Sequence, residues 1–513
     1  MNSAAIDNTA NNNTANNHFD VIIIGAGLSG VGAACHLQLN NPGKTYKIIE
    51  SRERMGGTWD LFRYPGVRSD SDMHTLGYNF KPWVKAASIA DGPSIRDYIQ
   101  ESAAEYGVTQ HIQYQRKVVA ADWDSATATW TLTLEDSSGE AGANGEPARE
   151  TLTCNFIYSC TGYYRYDKGY TPEFPGSDTF KGQIIHPQLW PEDLDYSGKR
   201  VVVIGSGATA ITLVPSMAKT AAHVTMLQRS PTYVISSPGE DKLSQRFRRW
   251  FSEGFAYGLT RWKNVTAQAI LFQLSRRYPN FVKKLLRKMV YQWMGDDFDI
   301  DTHFNPNYNP WDQRLCLVPD GDLFRSLRKG TSSIVTDHIE TFTETGIQLK
   351  SGEVLEADII VTATGLELLL LGGINLTVDG NAVDLSNSLA YKGMMFSDVP
   401  NLALAAGYTN ASWTLKCDLT SAYVCRLLSY MDKHNYQFCV PKNSDPSVER
   451  LQFLDLASGY VDRAMDKFPK QGNKAPWRLH QNYLLDILTL RGGGLRDKAM
   501  GFYRTDSGSS KAG

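Results

Sequence analysis

Two glycine-rich motifs, about 180 residues apart, carry the residue types that bind the phosphates of a dinucleotide. The first motif, GAGLSG, contains Gly25, Gly27, Ser29 and Gly30 and directly follows the apolar run FDVIII. Glycines at these positions allow a tight turn and a close approach of the backbone to a pyrophosphate. The N-terminus of the following helix then stabilises the negative charge of the phosphates. A glycine-rich turn without a ligand is the weaker alternative in this context.

The two motifs differ in the side chain that would face a ribose. Glu50 ends the run YKIIE, 20 residues after Gly30, and would accept hydrogen bonds from ribose hydroxyls. The second motif, GSGATA, contains Gly205, Ser206, Gly207, Thr209 and Ala210. The strand after it ends in Arg229 and Ser230, which would bind a 2′-phosphate that a carboxylate would repel. We therefore predict FAD at the first motif and NADPH at the second, with an exposed loop charge as the alternative for Arg229.

Both motifs lie between a predicted strand and a predicted helix. The strands at 19–24 and 200–204 are short and rich in β-branched residues, and helical patterns follow the glycines. Two more strands, 156–162 and 358–365, end in glycine, as strands beneath a cofactor do. The sequence thus predicts an α/β fold with two Rossmann-like dinucleotide-binding domains.

The domain organisation follows from these elements. We expect an Asn-rich disordered leader at 1–18, an FAD-binding domain formed by 19–163 and 390–490, and an NADPH-binding domain at 164–389. A helical insertion at 244–296 lies within the second domain, and the Gly/Ser-rich tail at 491–513 is expected to be flexible.

The helical insertion is strongly basic. Its positive charges include Arg246, Arg248, Arg249, Lys283, Lys284, Arg287 and Lys288, with very few acidic residues. Cationic helices with Trp and Phe can lie on an anionic membrane, which would make the protein peripheral to it. A solvated charged face over a packed apolar side is the more common arrangement.

Composition excludes several classes of protein. With 42% hydrophobic residues, 21% charged residues and a formal net charge of −2, the chain is typical of a globular enzyme and not of a nucleic-acid-binding protein. Its seven cysteines form no CxxC pair, which favours reduced thiols in the cytoplasm and excludes disulfide reductases. No apolar run approaches the ~20 residues of a membrane span. The oligomeric state stays open.

Two longer motifs narrow the class of flavoprotein. Residues 56–70 read GGTWDLFRYPGVRSD and residues 180–191 read FKGQIIHPQLWP. In these, the sequence resembles the type I Baeyer-Villiger monooxygenases of the flavin-containing monooxygenase superfamily. Their signature is matched at Phe180, Gly182, His186, Trp190 and Pro191. The segments NPWDQRLCLVPDGDLF and GYTNASW make the chain most similar to the ethionamide-activating group.

The resemblance implies further cofactor contacts. The FAD-binding residues would include Gly57, Thr58, Trp59, Asp60, Leu61, Arg68, Ser69, Asp70 and Val118. His186 would sit at a domain hinge and couple NADPH binding to oxygenation. The alternative, which we favour in part, is a structural role in which backbone groups form hydrogen bonds with its ring. No metal site is expected.

The resemblance also implies a reaction. NADPH reduces FAD, O2 adds at flavin C4a, and the resulting peroxide anion attacks a ketone to give an ester or lactone. Arg314 matches the family's arginine, whose permanent charge would stabilise that anion. Asp70 matches the carboxylate that would hold Arg314, with a loop-capping role as its alternative. Gln313 stands where many relatives have Lys, which predicts a weaker preference for NADPH.

Three functions remain open at this point. The expected substrate is an apolar, open-chain ketone, with sulfide or thioamide oxidation as a side activity. Related N- and S-oxygenating monooxygenases usually carry Tyr or Phe where Trp190 stands, so a heteroatom oxygenase is the enzyme alternative. A flavin-bearing NADPH sensor is the alternative from another class.

Overall fold

The strands of the protein fall into two main sheets, one mixed and one parallel, with several small additional sheets. The computed structural model describes residues 17–139, 145–313, 315–454 and 458–505. Its strands are β1 (His18–Ile24), β2 (Tyr46–Ile49), β3 (Ile112–Gln113), β4 (Arg116–Asp124), β5 (Thr129–Asp136), β6 (Arg149–Ser159), β7 (Gln183–Ile185), β8 (Arg200–Ile204), β9 (His223–Gln228), β10 (Val234–Ser237), β11 (Cys316–Pro319), β12 (Ser332–Thr336), β13 (Ile339–Thr343), β14 (Gly346–Leu349), β15 (Val354–Glu356), β16 (Ile359–Thr362), β17 (Asn375–Val378), β18 (Asn381–Ala382), β19 (Ala390–Tyr391), β20 (Met395–Phe396), β21 (Leu402–Leu404), β22 (Phe438–Pro441), β23 (Arg450–Gln452), β24 (Lys470–Gly472) and β25 (Met500–Tyr503).

The helices range from single turns to one of 25 residues. They are α1 (Leu28–Asn40), α2 (Thr58–Leu61), α3 (Met73–Leu76), α4 (Gly92–Glu105), α5 (Ala208–Met217), α6 (Lys242–Trp250), α7 (Glu253–Arg277), α8 (Pro279–Met294), α9 (Ile300–His303), α10 (Asp322–Arg328), α11 (Trp413–Lys433), α12 (Gly459–Asp462) and α13 (Tyr483–Asp486), with a π-helical turn at Ile487–Arg491. In the described part of the chain, no helix is long and apolar enough to cross a membrane.

The first sheet holds the first glycine motif at the end of its central strand. Its order is β18-β17-β4-β5-β6-β1-β2-β3, and β21 pairs with the C-terminal half of β6. Because side chains alternate along a strand, Val21 and Ile23 pack with α1 and α11, whereas Ile22 and Ile24 pack against the β4–β6 side. Burial on both faces explains the uninterrupted run of β-branched residues in β1.

The second sheet repeats this arrangement around the second glycine motif. Its five parallel strands run in the order β12-β9-β8-β16-β7. Val201 and Val203 of β8 face α5, and Val202 and Ile204 face the three-stranded antiparallel sheet β13-β14-β15. The predicted α/β fold with two Rossmann-like units is confirmed.

The chain returns to the first sheet earlier than predicted. Residues 164–389 were expected in the second domain, but Asn375–Val378 pair in parallel with β4 and Asn381–Ala382 pair with β17. A four-residue strand such as NLTV fits either sheet by its pattern. Only the long-range pairing with β4 decides between the two sheets.

The C-terminal segment is also more ordered than predicted. Met500–Tyr503 form an antiparallel pair with β22, and Met500 is buried. Upstream, the Arg426 guanidinium donates hydrogen bonds to the carbonyls of Leu490, Arg491 and Gly493, which fixes the glycine-rich turn. Of the expected tail, residues 506–513 lie outside the described residues, as do residues 1–16 of the expected leader.

Three helices occupy the predicted insertion. The helices α6, α7 and α8 follow β10 and precede β11, the two strands that form a separate parallel pair. Arg261 of α7 is buried and donates to Asp418 of α11 at 3.2 Å and to backbone carbonyls of His74 and Gly77. One side of α7 is therefore bound to the first unit by a buried charged network.

Candidate cofactor and substrate site

The first glycine motif has the tight geometry that its residue types predicted. Gly25 has φ +102, and a side chain there would lie 2.7 Å from the Cys160 carbonyl oxygen. A Cβ at Gly30 would lie 1.8 Å from the Gly25 oxygen, because α1 crosses close to β1. Gly27 lies against Gly57 of the GGTW segment, with a Cβ-to-Cα separation of 3.3 Å. Because neither turn carries a side chain at this point, the backbone of both turns is open to a bound ligand.

Glu50 lies beside this loop with its carboxylate buried. Its Oε2 accepts a hydrogen bond from the Ala26 N–H at 2.7 Å, and its Oε1 accepts one from the Arg52 N–H at 2.9 Å. Burial raises the pKa of Glu50, while these hydrogen bonds act in the opposite direction. Each carboxylate oxygen has a second lone pair, so the group can still accept a ribose hydroxyl.

The GGTW segment supplies both cleft residues and structural residues. Thr58 and Trp59 line the cleft at the start of α2. Asp60 is fully buried and forms ion pairs with Arg52 at 2.7 Å and Arg63 at 2.6 Å, so its carboxylate holds the loop together. Leu61 is buried after it, and Val118 lies on β4 in the core near β2.

The second motif differs from the first in the space around its middle glycine, which is Gly207 here and Gly27 in the first motif. Gly205 has φ +134, and a Cβ there would meet the Ala363 oxygen at 2.4 Å. Gly207, at the start of α5, has no atom within 4 Å of an added Cβ. Ala210, the third position of the motif, is buried against the sheet. The open space over Gly207 and the α5 N-terminus fit a pyrophosphate.

Arg229 and Ser230 lie where a 2′-phosphate would be recognised. Both are exposed at the end of β9, and the Ser206 hydroxyl donates to the Ser230 carbonyl at 3.1 Å. Within the described residues, Arg229 forms no ion pair or side-chain hydrogen bond, so its guanidinium is available to a ligand. This geometry fits the NADPH prediction.

One cleft of about 470 Å³ joins the two motifs. The predicted residues that line it are Gly27, Ser29, Gly57, Thr58, Trp59, Arg68, Ser69, Asp70, His186, Ser206, Gly207, Thr209 and Ser230. The others lie behind its walls or beside it, namely Gly25, Gly30, Glu50, Asp60, Leu61, Val118, Gly205, Ala210, Arg229, Phe180, Gly182, Trp190 and Pro191. The two predicted cofactor sites thus open into one cleft.

Of the two predicted catalytic residues, Asp70 and Arg314, the described structure includes only Asp70. Asp70 is half-buried in the cleft wall, and its charge contributes to raising the pKa of Tyr64, which burial lifts to about 12. Arg314 lies outside the described residues, and its neighbour Gln313 lines the cleft. Arg68 pairs with Asp322 of α10 and so ties the GGTW segment to the second unit.

His186 has both ring nitrogens occupied by the backbone. Nε2 lies 3.1 Å from the Gly365 carbonyl oxygen, and Nδ1 accepts the Gln188 N–H at 3.2 Å. This pairing requires a neutral ring with its proton on Nε2. Burial lowers the pKa of His186, in agreement with that form. The ring packs on Gly169, where a Cβ would lie 1.9 Å from Cε1, so it bridges two segments that connect the units.

The other signature residues are packing residues. Phe180 is buried beside Phe342, and a Cβ at Gly182 would meet the Asp358 oxygen at 2.4 Å. Trp190 is buried in the cluster that also contains Tyr64 from the GGTW segment. Pro191 is exposed. Phe180 and Gly182 therefore pack inside the second unit, whereas the cluster around Trp190 joins that unit to the GGTW segment.

An aromatic wall of the cleft was not predicted. The Trp413 indole N–H donates to Ser29 Oγ at 2.8 Å, and its ring stacks on Tyr163 with centroids 5.0 Å apart. The segment GYTNASW singled out Trp413 without placing it. Gln188 also lines the cleft with its Oε1 buried and without a hydrogen-bond partner among the described residues, which fits a donor on a bound group.

A second cavity, of about 60 Å³, adjoins the cleft. We call this second cavity the chamber. The two share Gly162, Tyr163, Tyr408, Trp413 and Tyr460. The chamber is lined mainly by apolar side chains, which include Leu370, Leu404, Phe453, Leu454, Val461, Phe468 and Leu479. The chamber could not be predicted from the sequence because its walls come from six separate segments.

The chamber has one charged end. Asp486 Oδ2 accepts hydrogen bonds from the Tyr408 hydroxyl at 2.6 Å and from Lys416 Nζ at 2.7 Å. Both partners of this ion pair are buried, and burial lowers the pKa of Lys416. Such a pair fixes α13 against α11 and closes the chamber at that end.

The fold and the site together define a protein that holds two dinucleotides across one cleft. A family model described as flavin-binding monooxygenase-like matches residues 87–371, and a model for an NAD(P)-binding Rossmann-like domain matches residues 23–87. The chain belongs to the flavin-binding monooxygenase-like family. It is an NADPH-dependent flavoprotein monooxygenase, and the predicted cofactors FAD and NADPH are confirmed.

Similar proteins agree with this assignment over nearly the whole chain. The FAD-containing monooxygenase EthA of Mycobacterium tuberculosis is 53% identical, with 94% of this chain and 98% of that protein covered. The probable FAD-binding monooxygenase AlmA of Acinetobacter baylyi is 51% identical, with 94% and 96% covered. A solved structure of oxidized steroid monooxygenase bound to NADP shares the fold, with a TM-score of 0.74, 20% identity and coverage of 95% and 100%.

Proposed function

We propose that the enzyme is a Baeyer-Villiger monooxygenase that converts apolar, open-chain ketones to esters or lactones. The apolar chamber beside the junction of the two dinucleotide sites is the observation that carries this proposal. A chamber of this composition suits a substrate whose polarity is confined to one carbonyl. Oxidation of sulfides or thioamides is proposed as a side activity at the same site.

FAD, when bound and reduced by NADPH, would supply the activation of dioxygen, from which one oxygen atom enters the ketone and the other leaves as water. The chain's own residues would position and protect this chemistry. Arg314 would provide a permanent positive charge beside the reacting oxygen, since a guanidinium does not release its proton in this pH range. Asp70 would orient Arg314. Trp413 and Tyr163 would exclude water from the chamber side of the cleft.

The remaining site residues would bind the cofactors. We propose that the first glycine motif, Glu50 and the GGTW segment hold FAD, and that the second motif with Arg229 and Ser230 holds NADPH. His186 would act as a positioning residue at the junction, because backbone groups occupy both ring nitrogens.

The test is product analysis with the FAD-loaded enzyme, NADPH and a panel of linear ketones, cyclic ketones and an aryl alkyl sulfide. We expect esters from linear ketones, with one atom of labelled dioxygen incorporated, at higher kcat/KM than sulfoxide formation. Exclusive sulfoxide formation would overturn the proposal and favour a heteroatom oxygenase.

Two variants separate the roles of the residues in this assay. We expect Arg314→Ala to retain FAD and its reduction by NADPH but to form no ester, with partial recovery in Arg314→Lys. We expect Leu479→Trp to fill the chamber and raise KM for long ketones more than for short ones. Leu189→Trp is the matched control, because Leu189 is exposed and does not line either cavity.

A further inference from the structure

The large apolar side chains exposed to solvent are concentrated on the helical insertion. In the described part of the chain, twelve of twenty-one such side chains lie between Leu243 and Tyr291. On α7 they form a stripe at helical spacing, Phe255, Leu259, Trp262, Ile270 and Leu274. Surface apolar residues are normally scattered, and a continuous patch indicates an interaction site. The solvated charged face over a packed apolar side, expected from the sequence, is therefore not what α7 presents.

The patch extends beyond α7 on both sides. Phe247 and Phe251 continue it toward α6 through ring contacts, with Phe251 and Phe255 centroids 5.1 Å apart. On the other side, Trp262 lies 6.2 Å from the ring of Tyr483. Leu484, Leu485 and Leu488, which follow Tyr483, are all exposed. We call this whole surface the apolar face.

The charged residues of the insertion are almost all basic. Between Lys242 and Met294 there are twelve Lys and Arg residues and one Glu, whereas the whole chain has a formal net charge of −2. Arg261, Lys263, Arg276 and Arg287 form ion pairs with acidic residues outside the insertion. Exposed cations without an ion pair to the described residues are Lys242, Arg246, Arg249, Arg277, Lys284 and Lys288.

We propose that the apolar face docks on the surface of a lipid bilayer that carries anionic headgroups. Exposed Trp, Phe and Leu beside Lys and Arg are the combination that inserts into the boundary between headgroups and acyl chains. A second copy of this chain fits less well. A twofold contact through the apolar face would bring two insertions of the same strong positive charge together.

The apolar face also adjoins the chamber. Val265 of α7 packs with Tyr408 and Leu415, and Asp486 at the end of α13 lines the chamber. An apolar substrate dissolved in the bilayer would thus meet the protein next to the cavity proposed to bind it. This last step alone rests on the proposed function, whereas docking itself does not.

The test uses the full-length, FAD-loaded protein and vesicles. Co-sedimentation is measured with phosphatidylcholine vesicles and with vesicles containing phosphatidylglycerol, at low and high salt. We expect binding to the anionic vesicles at least tenfold tighter than to phosphatidylcholine, and weaker binding at high salt.

Two triple variants and their matched controls assign the surface. The test variants are Phe255→Ser with Trp262→Ser and Ile270→Ser, and Arg249→Glu with Lys284→Glu and Lys288→Glu. The controls change exposed residues elsewhere, Leu39→Ser with Val354→Ser and Leu451→Ser, and Lys219→Glu with Lys329→Glu and Lys350→Glu. Each test variant is expected to lose at least tenfold in affinity for anionic vesicles, and each control less than twofold.

Several results would overturn the docking proposal. The first is an equal loss of vesicle affinity in the test and control variants, and the second is equal binding of the protein to both vesicle types. The third is self-association of the protein that Trp262→Ser abolishes, with no binding to either type of vesicle. Bound FAD and NADPH oxidation in solution report folding, and the charge variant tests the proposal if the apolar variant does not fold. Because vesicle binding is measured without a substrate, failure of the ketone assay leaves this result unaffected.

Discussion

Arg229 is predicted to set the preference for NADPH over NADH. The side chain is exposed and has no ion pair within the described residues, so Arg229→Ala removes no contact of the folded protein. A hydrogen bond to a charged group contributes ~1.5–3 kcal/mol. With about 1.4 kcal/mol per factor of ten, the variant should raise KM for NADPH by about 10- to 150-fold. NADH has no 2′-phosphate, so its KM should stay within about twofold.

The assay is steady-state NADPH and NADH oxidation by the FAD-loaded enzyme, with FAD content measured for each variant. Arg328→Ala is the control, since Arg328 is an exposed arginine of the same unit on α10. Gln313→Lys should act in the opposite direction, because Gln313 lines the cleft and a lysine would add a positive charge there. An unchanged KM for NADPH in Arg229→Ala, or an equal rise for NADH, would refute the assignment of Arg229.

Three further predictions concern the site and its supports. Gly205→Ala should destabilise the protein by ~2–4 kcal/mol in thermal unfolding, because the backbone there has φ +134 and the added Cβ would meet the Ala363 oxygen at 2.4 Å. Gly207→Ala should fold normally but bind NADPH more weakly, because the space above Gly207 is open. Asp486→Asn should cost ~3–5 kcal/mol in urea unfolding, because it leaves the buried Lys416 ammonium unpaired; a loss below ~1 kcal/mol would contradict that pairing. Burial lowers the pKa of His186 from its ordinary value of 6.5. The neutral ring therefore contributes stability that is complete above pH 6.5 and is lost as the pH falls below it. His186→Asn should flatten that part of the plot of unfolding free energy against pH. An unchanged profile would show that folding does not lower the pKa of His186.

The sequence predicted the conformation of the two glycine loops because the requirements of such a turn are local. Gly25 and Gly205 both need a positive φ, and the turn between one strand and one helix sets this requirement locally. The carbonyls that the two glycines pack against, those of Cys160 and Ala363, come from other strands and were not needed for the prediction. The glycine spacing, Glu50 and Arg229 all belong to such units, so no distant contact was needed to recognise them.

The predictions at the edges of the units were less accurate. The strand at Asn375–Val378 joins the first sheet, and Met500–Tyr503 are ordered by pairing with β22. Short strands have little intrinsic preference for one partner over another, because their stability comes from the neighbours that they pack against. Their assignment therefore required the complete fold.

The sequence by itself determined that this chain holds two dinucleotides, that their types differ, and that the second unit carries a basic helical insertion. Only the tertiary structure decided that Trp413 stacks on Tyr163 beside Ser29, that distant segments enclose the chamber, and which side of α7 stays uncovered. The reason is physical. A phosphate-binding turn is specified by a few consecutive residues, whereas a cavity or an exposed face depends on which remote segments pack together and which do not.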